Sequence, residues 1–230
     1  MRGKPVDPKV LEESDNTDAE SMTKTLVPSP PVVTIAHLFE GSILTSTLLY
    51  MLIWFSLSFG SYGLSTWITV LFEDIGLGNV YASAFIFALA NLPGNVASLL
   101  YIDIVGRKRF LAVGMILAAL SAIGFAVGTA VPALVVLCAT LFNAFSVAGW
   151  NALDCMSVEN FPTEVRTSAM GVLAASGRIG AIAAQVVNGS LEKNIPLLLF
   201  VTSGCMMLGG VAALYTPHDA TGHSLVDHAN

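Results

Sequence analysis

The sequence contains few charged residues, and this scarcity argues against a soluble domain. Asp, Glu, Lys and Arg make up 11% of its 230 residues, whereas a soluble globular domain usually has about 25%. Its three cysteines are odd in number and lie in apolar runs, which indicates apolar packing rather than a disulfide framework or a metal site. Basic and aromatic residues do not alternate in any stripe, so no nucleic-acid binding is expected.

Residues that could perform chemistry are also scarce. The histidines His37, His218, His223 and His228 lie at or beyond the edges of the long apolar runs. The sequence has no nucleophile with a neighbouring base, no metal-ligand spacing and no phosphate-binding loop. It therefore predicts neither an enzyme nor a bound cofactor or metal.

Long apolar runs are abundant instead. Apolar residues make up 54% of the chain, and the mean hydropathy is +0.73. A membrane-spanning helix needs about 20 mostly apolar residues, whereas a strand of a membrane barrel needs only about 9–11. The runs are too long for barrel strands. They predict an all-α integral membrane protein with six transmembrane helices, at about 44–72, 79–103, 109–129, 131–157, 167–190 and 195–215.

The segments outside this six-helix bundle, which we place at 41–216, differ in composition. Residues 1–40 are acidic, carry Ser, Thr and Pro, and have no apolar core of a signal peptide, so we expect a disordered cytosolic segment. Residues 217–230 are expected to form a cytosolic tail. Basic residues favour the cytosolic side of a membrane. Because they flank spans two and four on one side only, both termini are predicted to be cytosolic, in a membrane that the sequence does not specify.

Polar residues are concentrated in four of the six spans. Spans three and six are almost entirely apolar, whereas spans one, two, four and five carry polar side chains at helical spacing. A polar stripe on a membrane helix is typical of a cavity lining. The candidate lining residues are Tyr62, Asn91, Asn95, Asn143, Trp150, Asp154, Arg178 and Gln185.

Arg178 is the most informative of these residues because it lies near the middle of span five. A charge at that depth costs about 2.5–3.5 kcal/mol on insertion scales, so it must face protein or water. Arg178 either binds a substrate or coupling ion, or forms a structural ion pair with a partner such as Asp154. The asparagines could likewise line a cavity or hydrogen-bond neighbouring helices.

Five short motifs, in order along the chain, resemble motifs of the major facilitator superfamily. DIVGRK at 103–108 is similar to its D-x-x-G-R-[RK] loop, and ENFPTEVR at 159–166 to its E-x-[YF]-P-T-x-x-R motif. PHDATGHSL at 217–225 resembles the tail after the twelfth helix. SGRIGA at 176–181 and FGSYGL at 59–64 are similar to helices eleven and seven of the organic-anion and synaptic-vesicle-protein-like branches. The motif at 159–166 resembles one that sugar porters, organic ion transporters and synaptic-vesicle-protein-like carriers have after their tenth helix.

The resemblance implies that the six spans are helices seven to twelve of a twelve-helix transporter. Residues 1–40 would then correspond to the loop that joins the two halves. The implied function is secondary transport of a small organic solute, with an organic ion favoured, by alternating access. The expected partners are the lipid bilayer, a small-molecule substrate and a second six-helix half. A fragment of a longer transporter and a non-transporting half that acts as a membrane scaffold stay open as alternatives.

The resemblance also implies a cytosolic gate, a set of contacts that breaks when the cavity opens inward. Arg107 is expected to pair with Glu159, and Arg166 with a nearby carboxylate. Ile104 stands where the superfamily loop often has a basic residue, so one pairing of the gate is missing. The gate residues that the motifs assign are Asp103, Gly106, Arg107, Lys108, Glu159, Pro162, Thr163 and Arg166.

Overall fold

The computed structural model describes residues 35, 38–41 and 43–216, and in this part of the chain all regular structure is helical. Six helical stretches are long and apolar enough to cross a membrane, so the predicted all-α membrane fold, one half of a twelve-helix bundle, is confirmed. The predicted ends differ from the observed ones by at most four residues. The helices are α1 Ile43–Asp74, α2 Val80–Leu89, α3 Asn91–Val105, α4 Arg107–Val127, α5 Pro132–Glu159, α6 Thr163–Leu191 and α7 Ile195–Leu214.

Local sequence signals account for several helix starts. The side-chain oxygens of Asn79 and Asn194 accept hydrogen bonds from backbone N–H groups in the first turns of α2 and α7, at 3.0 and 3.3 Å. Proline occupies the first turn of α5 at Pro132, where its missing N–H has no helical partner to lose. Gly106 has a φ of +90°, which lets the chain turn sharply between α3 and α4.

Span two consists of two helices, α2 and α3, which meet at Ala90. Pro93 has no N–H to donate to the carbonyl of Leu89, so the helical hydrogen-bond ladder is interrupted at this point. Side chains bond to the carbonyls just before the break: Asn91 donates to the carbonyl of Ala88 at 2.8 Å, and Asn143 of α5 donates to the carbonyl of Phe87 at 2.7 Å. The sequence predicted one uninterrupted span here, and the break is a finding of the structure.

The helices form a chain of neighbours in the order α6, α1, α7, α4, α5 and α3. Helix α1 packs extensively on α6 and α7, and α4 packs extensively on α5 and α7. Large side chains fill the interior of this arrangement, among them Tyr50, Phe72, Phe125 and Phe142. Helices α5 and α6 barely touch each other. This separation leaves room between them, on the side of α1 away from α7.

Most of the two flanking segments lies outside the described residues. Of the predicted acidic segment 1–40, only residues 35 and 38–40 are described, and of the predicted tail 217–230 none is. The structure therefore does not test the predicted disorder of these segments, and their boundaries stay predictions.

Candidate functional site

A cavity of about 310 Å³ lies between α1, α5 and α6. We call it the charged cavity because one acidic and one basic side chain line it. Its lining residues are Trp54, Ser58, Tyr62, Trp150, Asp154, Ala174, Gly177 and Arg178. Four of the eight side chains that the sequence predicted to line a cavity are among them: Tyr62, Trp150, Asp154 and Arg178.

Glycines on α6 set the width of the charged cavity. A Cβ atom on Gly177 would lie 2.8 Å from Ser58 Oγ and 3.1 Å from Trp54 Cε3, and one on Gly180 would meet the backbone oxygen of Phe55. Helices α1 and α6 can therefore approach closely only because these positions have no side chain. The approach holds Arg178, the residue after Gly177, beside the polar face of α1.

Arg178 and Asp154 face the charged cavity but do not pair with each other. Among the described residues no Arg178 nitrogen lies within 4.0 Å of an Asp154 oxygen, and both residues are exposed. The structural ion pair considered from the sequence is therefore not formed. Both charges are accessible to a solute in the cavity.

Three aromatic side chains form the wall of the charged cavity next to Asp154. The ring centroids of Trp54 and Trp150 are 5.3 Å apart with their planes at 76°, and those of Tyr62 and Trp150 are 5.8 Å apart. Both indole N–H groups are engaged, Trp54 with Ser157 Oγ and Trp150 with Ser61 Oγ, each at 2.9 Å. These bonds fix the ring orientations and leave the ring surfaces as the contact area.

A second cavity of about 420 Å³ shares Tyr62 and Trp150 with the first. We call it the asparagine cavity because Asn91 and Asn143 line it, together with Ser61, Ser65 and Ser146. Asn143 is buried and donates to the carbonyl of Phe87 at the break between α2 and α3. The asparagine cavity therefore lies beside the interrupted helix. Of the described helices, neither α4 nor α7 lines either cavity, as expected from their lack of polar residues.

Two predicted lining residues lie outside both cavities. Asn95 Oδ1 accepts a hydrogen bond from Asn151 of α5 at 2.8 Å, so it joins α3 to α5. Gln185 Oε1 accepts from Trp67 Nε1 of α1 at 2.8 Å. Both side chains thus make interhelical hydrogen bonds, which the sequence left open as the alternative for the asparagines but not for Gln185.

Ser61 is a cavity residue that the sequence analysis missed. It lines the asparagine cavity and its hydroxyl donates to the backbone oxygen of Leu57 at 2.7 Å while accepting from Trp150. A serine at this position falls one turn before Ser65 and could have been included in the polar stripe of α1. Its partner Trp150 is 89 residues away in sequence, a pairing that the stripe alone does not indicate.

Several residues of the predicted gate lie close together where α3 ends, α4 begins and α5 ends. Arg107, the first residue of α4, forms an ion pair with Glu159, the last residue of α5. It also contacts Asp103 of α3 at 3.2 Å. The pair expected from the motifs is thus present. Lys108 donates to the backbone oxygen of Thr216 at 2.5 Å, which ties the end of the described chain to the start of α4.

The remaining gate residues form the turn between α5 and α6. Pro162 precedes the first residue of α6, Thr163. Arg166 Nε donates to the backbone oxygen of Phe161 at 3.3 Å. The turn is packed by Phe161, which is buried and whose ring contacts Tyr50 edge-on at 5.8 Å. In the described part of the chain, no group of three or more His, Cys, Asp and Glu side chains is placed to hold a metal ion.

Comparison with known proteins gives a consistent result. The profile of the family described as "Sugar (and other) transporter" matches residues 2–224. Synaptic vesicle glycoprotein 2C of Homo sapiens is 34% identical over 153 residues, which are 65% of this chain and 20% of that protein. Synaptic vesicle glycoprotein 2A of Rattus norvegicus is 36% identical over 141 residues, which are 60% of this chain and 19% of that protein. The chain therefore spans about a fifth of the length of these relatives.

Proposed function

The chain belongs to the family of sugar and other transporters, and from that premise we propose that it forms one six-helix half of a secondary transporter. The proposed substrate is a small organic ion, and the proposed mechanism is alternating access. The family and the six spans show that the chain is a multi-pass membrane protein of a carrier family. The same family membership favours a carrier over an enzyme.

The observation that carries the proposal is the position of Arg178 in the charged cavity. An intramembrane arginine is tolerated when it faces a cavity or a partner, and no acidic side chain of the described residues lies within ion-pair distance of it. The cavity volume of about 310 Å³ lies near the lower end of the range for small-molecule sites, which is about 300–1,000 Å³. A small anionic group would supply the missing counter-charge.

Alternating access requires a second half. In transporters built from two repeats, the substrate site lies between them and one repeat rocks against the other. The polar faces of α1, α3, α5 and α6 surround the two cavities, so we propose that a second six-helix half covers this side. It would come from another region of a longer chain or from another copy.

The gate residues supply the proposed switching element. The Arg107–Glu159 pair joins the start of α4 to the end of α5. We assign this end of the bundle to the cytosol from its basic residues. We propose that the pair is formed while this end is closed to the cytosol. We propose that it breaks when the cavity opens to the cytosol, while Asp103, Lys108 and Arg166 hold the adjoining helix ends.

The test is uptake of labelled small organic anions and cations by cells that express the chain, compared with Arg178→Ala. We expect Arg178→Ala to abolish uptake although the protein still reaches the membrane, and Arg178→Lys to retain part of it because the charge remains. Lys193→Ala, at the outer end of α6, is the matched control and should transport normally. Undiminished uptake by Arg178→Ala would refute the site. No uptake by the unaltered chain, together with a co-purifying membrane protein, would instead support the scaffold function.

A further inference from the structure

The charged cavity holds two opposite charges that do not neutralise each other. Asp154 extends from α5 and Arg178 from α6, and these helices barely touch. Each isolated charge within the bilayer costs about 2.5–3.5 kcal/mol on insertion scales. A solute with a single negative charge would satisfy Arg178 but would be repelled by Asp154. A solute with a single positive charge would have the reverse problem, so only a solute with both charges satisfies both residues.

The surroundings of Asp154 indicate the chemistry of the positive group. Trp150 and Asp154 are four residues apart on α5 and therefore share one face. Trp54 and Tyr62 pack against Trp150 with ring centroids 5.3 and 5.8 Å away. Aromatic faces attract cations, and groups of aromatic rings are used to bind ammonium groups that carry methyl substituents. A carboxylate beside three aromatic rings therefore fits an alkylated ammonium group better than it fits a metal ion or a strongly hydrated ammonium group.

The surroundings of Arg178 indicate a carboxylate. The guanidinium group presents a planar fork of N–H donors that matches two carboxylate oxygens. Ser58 also lines the cavity, and its hydroxyl lies 2.8 Å from the position that a Cβ atom on Gly177, the residue before Arg178, would occupy. The cavity volume of about 310 Å³ limits the solute to a short spacer between its two charges.

We propose that the charged cavity binds a small zwitterion, with an alkylated ammonium group between Asp154 and the aromatic wall and a carboxylate at Arg178. This inference rests on the proposed transport function and narrows its substrate class. In this proposal Arg178 alone would bind both zwitterions and simple anions, and Asp154 makes the cavity select zwitterions.

Three ligands of nearly equal size test this assignment. Glycine betaine carries both charges. 3,3-Dimethylbutyrate has the same shape and carboxylate but a carbon atom in place of the nitrogen, and choline has the ammonium but no carboxylate. We would measure their binding to the full chain in lipid nanodiscs by equilibrium dialysis. Quenching of tryptophan fluorescence provides a second readout, because Trp54 and Trp150 line the cavity.

The unaltered chain should bind glycine betaine at least about tenfold more tightly than either analogue, the size expected for loss of one charge-assisted contact. Asp154→Asn should lose the preference over 3,3-dimethylbutyrate, and Arg178→Gln the preference over choline. Asp154→Glu retains the charge and should retain the preference. Asp74→Asn, which removes a carboxylate at the outer end of α1, is the control and should behave like the unaltered chain.

Two outcomes would overturn the inference. If 3,3-dimethylbutyrate binds as tightly as glycine betaine, or if Asp154→Asn leaves the preference unchanged, the site selects anions and the proposed organic-ion transport stands without the zwitterion. If none of the three ligands binds, the zwitterion assignment is wrong, and the uptake comparison with Arg178→Ala decides the transport function separately. Far-ultraviolet circular dichroism of each variant verifies that its helices are intact.

Discussion

Arg107 connects three helices through its side chain and its position. It is the first residue of α4, it pairs with Glu159 at the end of α5, and it reaches Asp103 near the end of α3. The two contacts differ in burial: the side chains of Arg107 and Glu159 are 21% and 22% exposed, whereas that of Asp103 is 71% exposed. Because water screens exposed pairs far more than sheltered ones, the contact with Glu159 should contribute most of the stabilisation.

A double-mutant cycle at Arg107 and Glu159 should detect this difference. Either single change to Gln is expected to lower the free energy of unfolding by about 1.5–3 kcal/mol, because it removes a sheltered contact between two charged groups. The double change should cost clearly less than the sum. Thermal unfolding of the detergent-solubilised chain measures these values. Asp103→Asn serves as the control, with an expected loss of about 0.2–1 kcal/mol. Additive single effects would mean that the pair contributes nothing.

The sequence predicted the Arg107–Glu159 contact but not the separation of Asp154 and Arg178. The first contact joins two motifs that resemble motifs of the major facilitator superfamily, and that resemblance implies it. The second depends on the distance between α5 and α6, which is set by how closely α1 and α6 approach at Gly177 and Gly180. No pattern within a single helix encodes that distance. The roles of these residues in transport stay predictions.

Helices α1 and α6 form the most glycine-dependent contact around the charged cavity. A Cβ atom on Gly63 of α1 would lie 2.9 Å from the Cβ of Ala184, and Gly177 and Gly180 of α6 meet α1 in the same way. In a bilayer, helices gain no hydrophobic stabilisation from association, so close packing between small residues carries much of the energy. The width of the charged cavity therefore depends on residues that have no side chain to line it.

Gly180→Leu should separate α1 from α6. Its side chain would collide with the backbone at Phe55, which cannot move as easily as a flexible side chain, and overpacking of this kind costs about 1–3 kcal/mol. We expect a lower unfolding temperature and loss of binding in the charged cavity. Gly171→Ala is the matched control on the same helix: nothing lies within 4 Å of its Cβ position, so the helix should gain up to about 1 kcal/mol. Equal effects of both changes would show that close approach does not matter.

The break between α2 and α3 shows what a single-helix pattern leaves out. Pro93 and Gly94 are visible in the sequence, yet proline is tolerated within many membrane helices when neighbours satisfy the freed carbonyls. Here Asn143 of the neighbouring helix α5, which is 56 residues from Phe87 in sequence, donates to the carbonyl of Phe87 beside the break. Gly94 lets α3 approach α5, since a Cβ atom there would lie 2.6 Å from the backbone oxygen of Ala144. Both contacts belong to the packed bundle, so the break could not be derived from span two alone.

At the scale of the whole molecule, the division into polar and apolar helices matches the position of the cavities. Helices α4 and α7 pack on each other and on α5 and α1, away from the residues that line either cavity. Their own polar groups are used internally, as Ser203 donates to the backbone oxygen of Ala119 at 2.9 Å. Composition predicted this arrangement because a helix without accessible polar groups can contribute little to a polar cavity.

The basic residues should also fix the orientation of the whole bundle. The start of α4, which contains Lys108 and Arg109, is at one end of the six spans, and the turn around Gly78 is at the other. Cysteine labelling tests this after Cys138, Cys155 and Cys205 have been replaced by Ala. Gly78 and Arg109 are both exposed. A membrane-impermeant maleimide should therefore reach the cysteines of Gly78→Cys and Arg109→Cys from opposite sides of the membrane.

Arg109→Cys should be labelled only once the plasma membrane has been permeabilised, because the positive-inside rule assigns this turn to the cytosol. In a protein of the plasma membrane, Gly78→Cys should be labelled on intact cells. In a protein of an internal membrane, it should be labelled only after that membrane is also dissolved. Either result gives the same orientation and identifies the compartment. Labelling of Arg109→Cys on intact cells, or of both positions from one side, would overturn the topology and, with it, the cytosolic assignment of the Arg107–Glu159 gate.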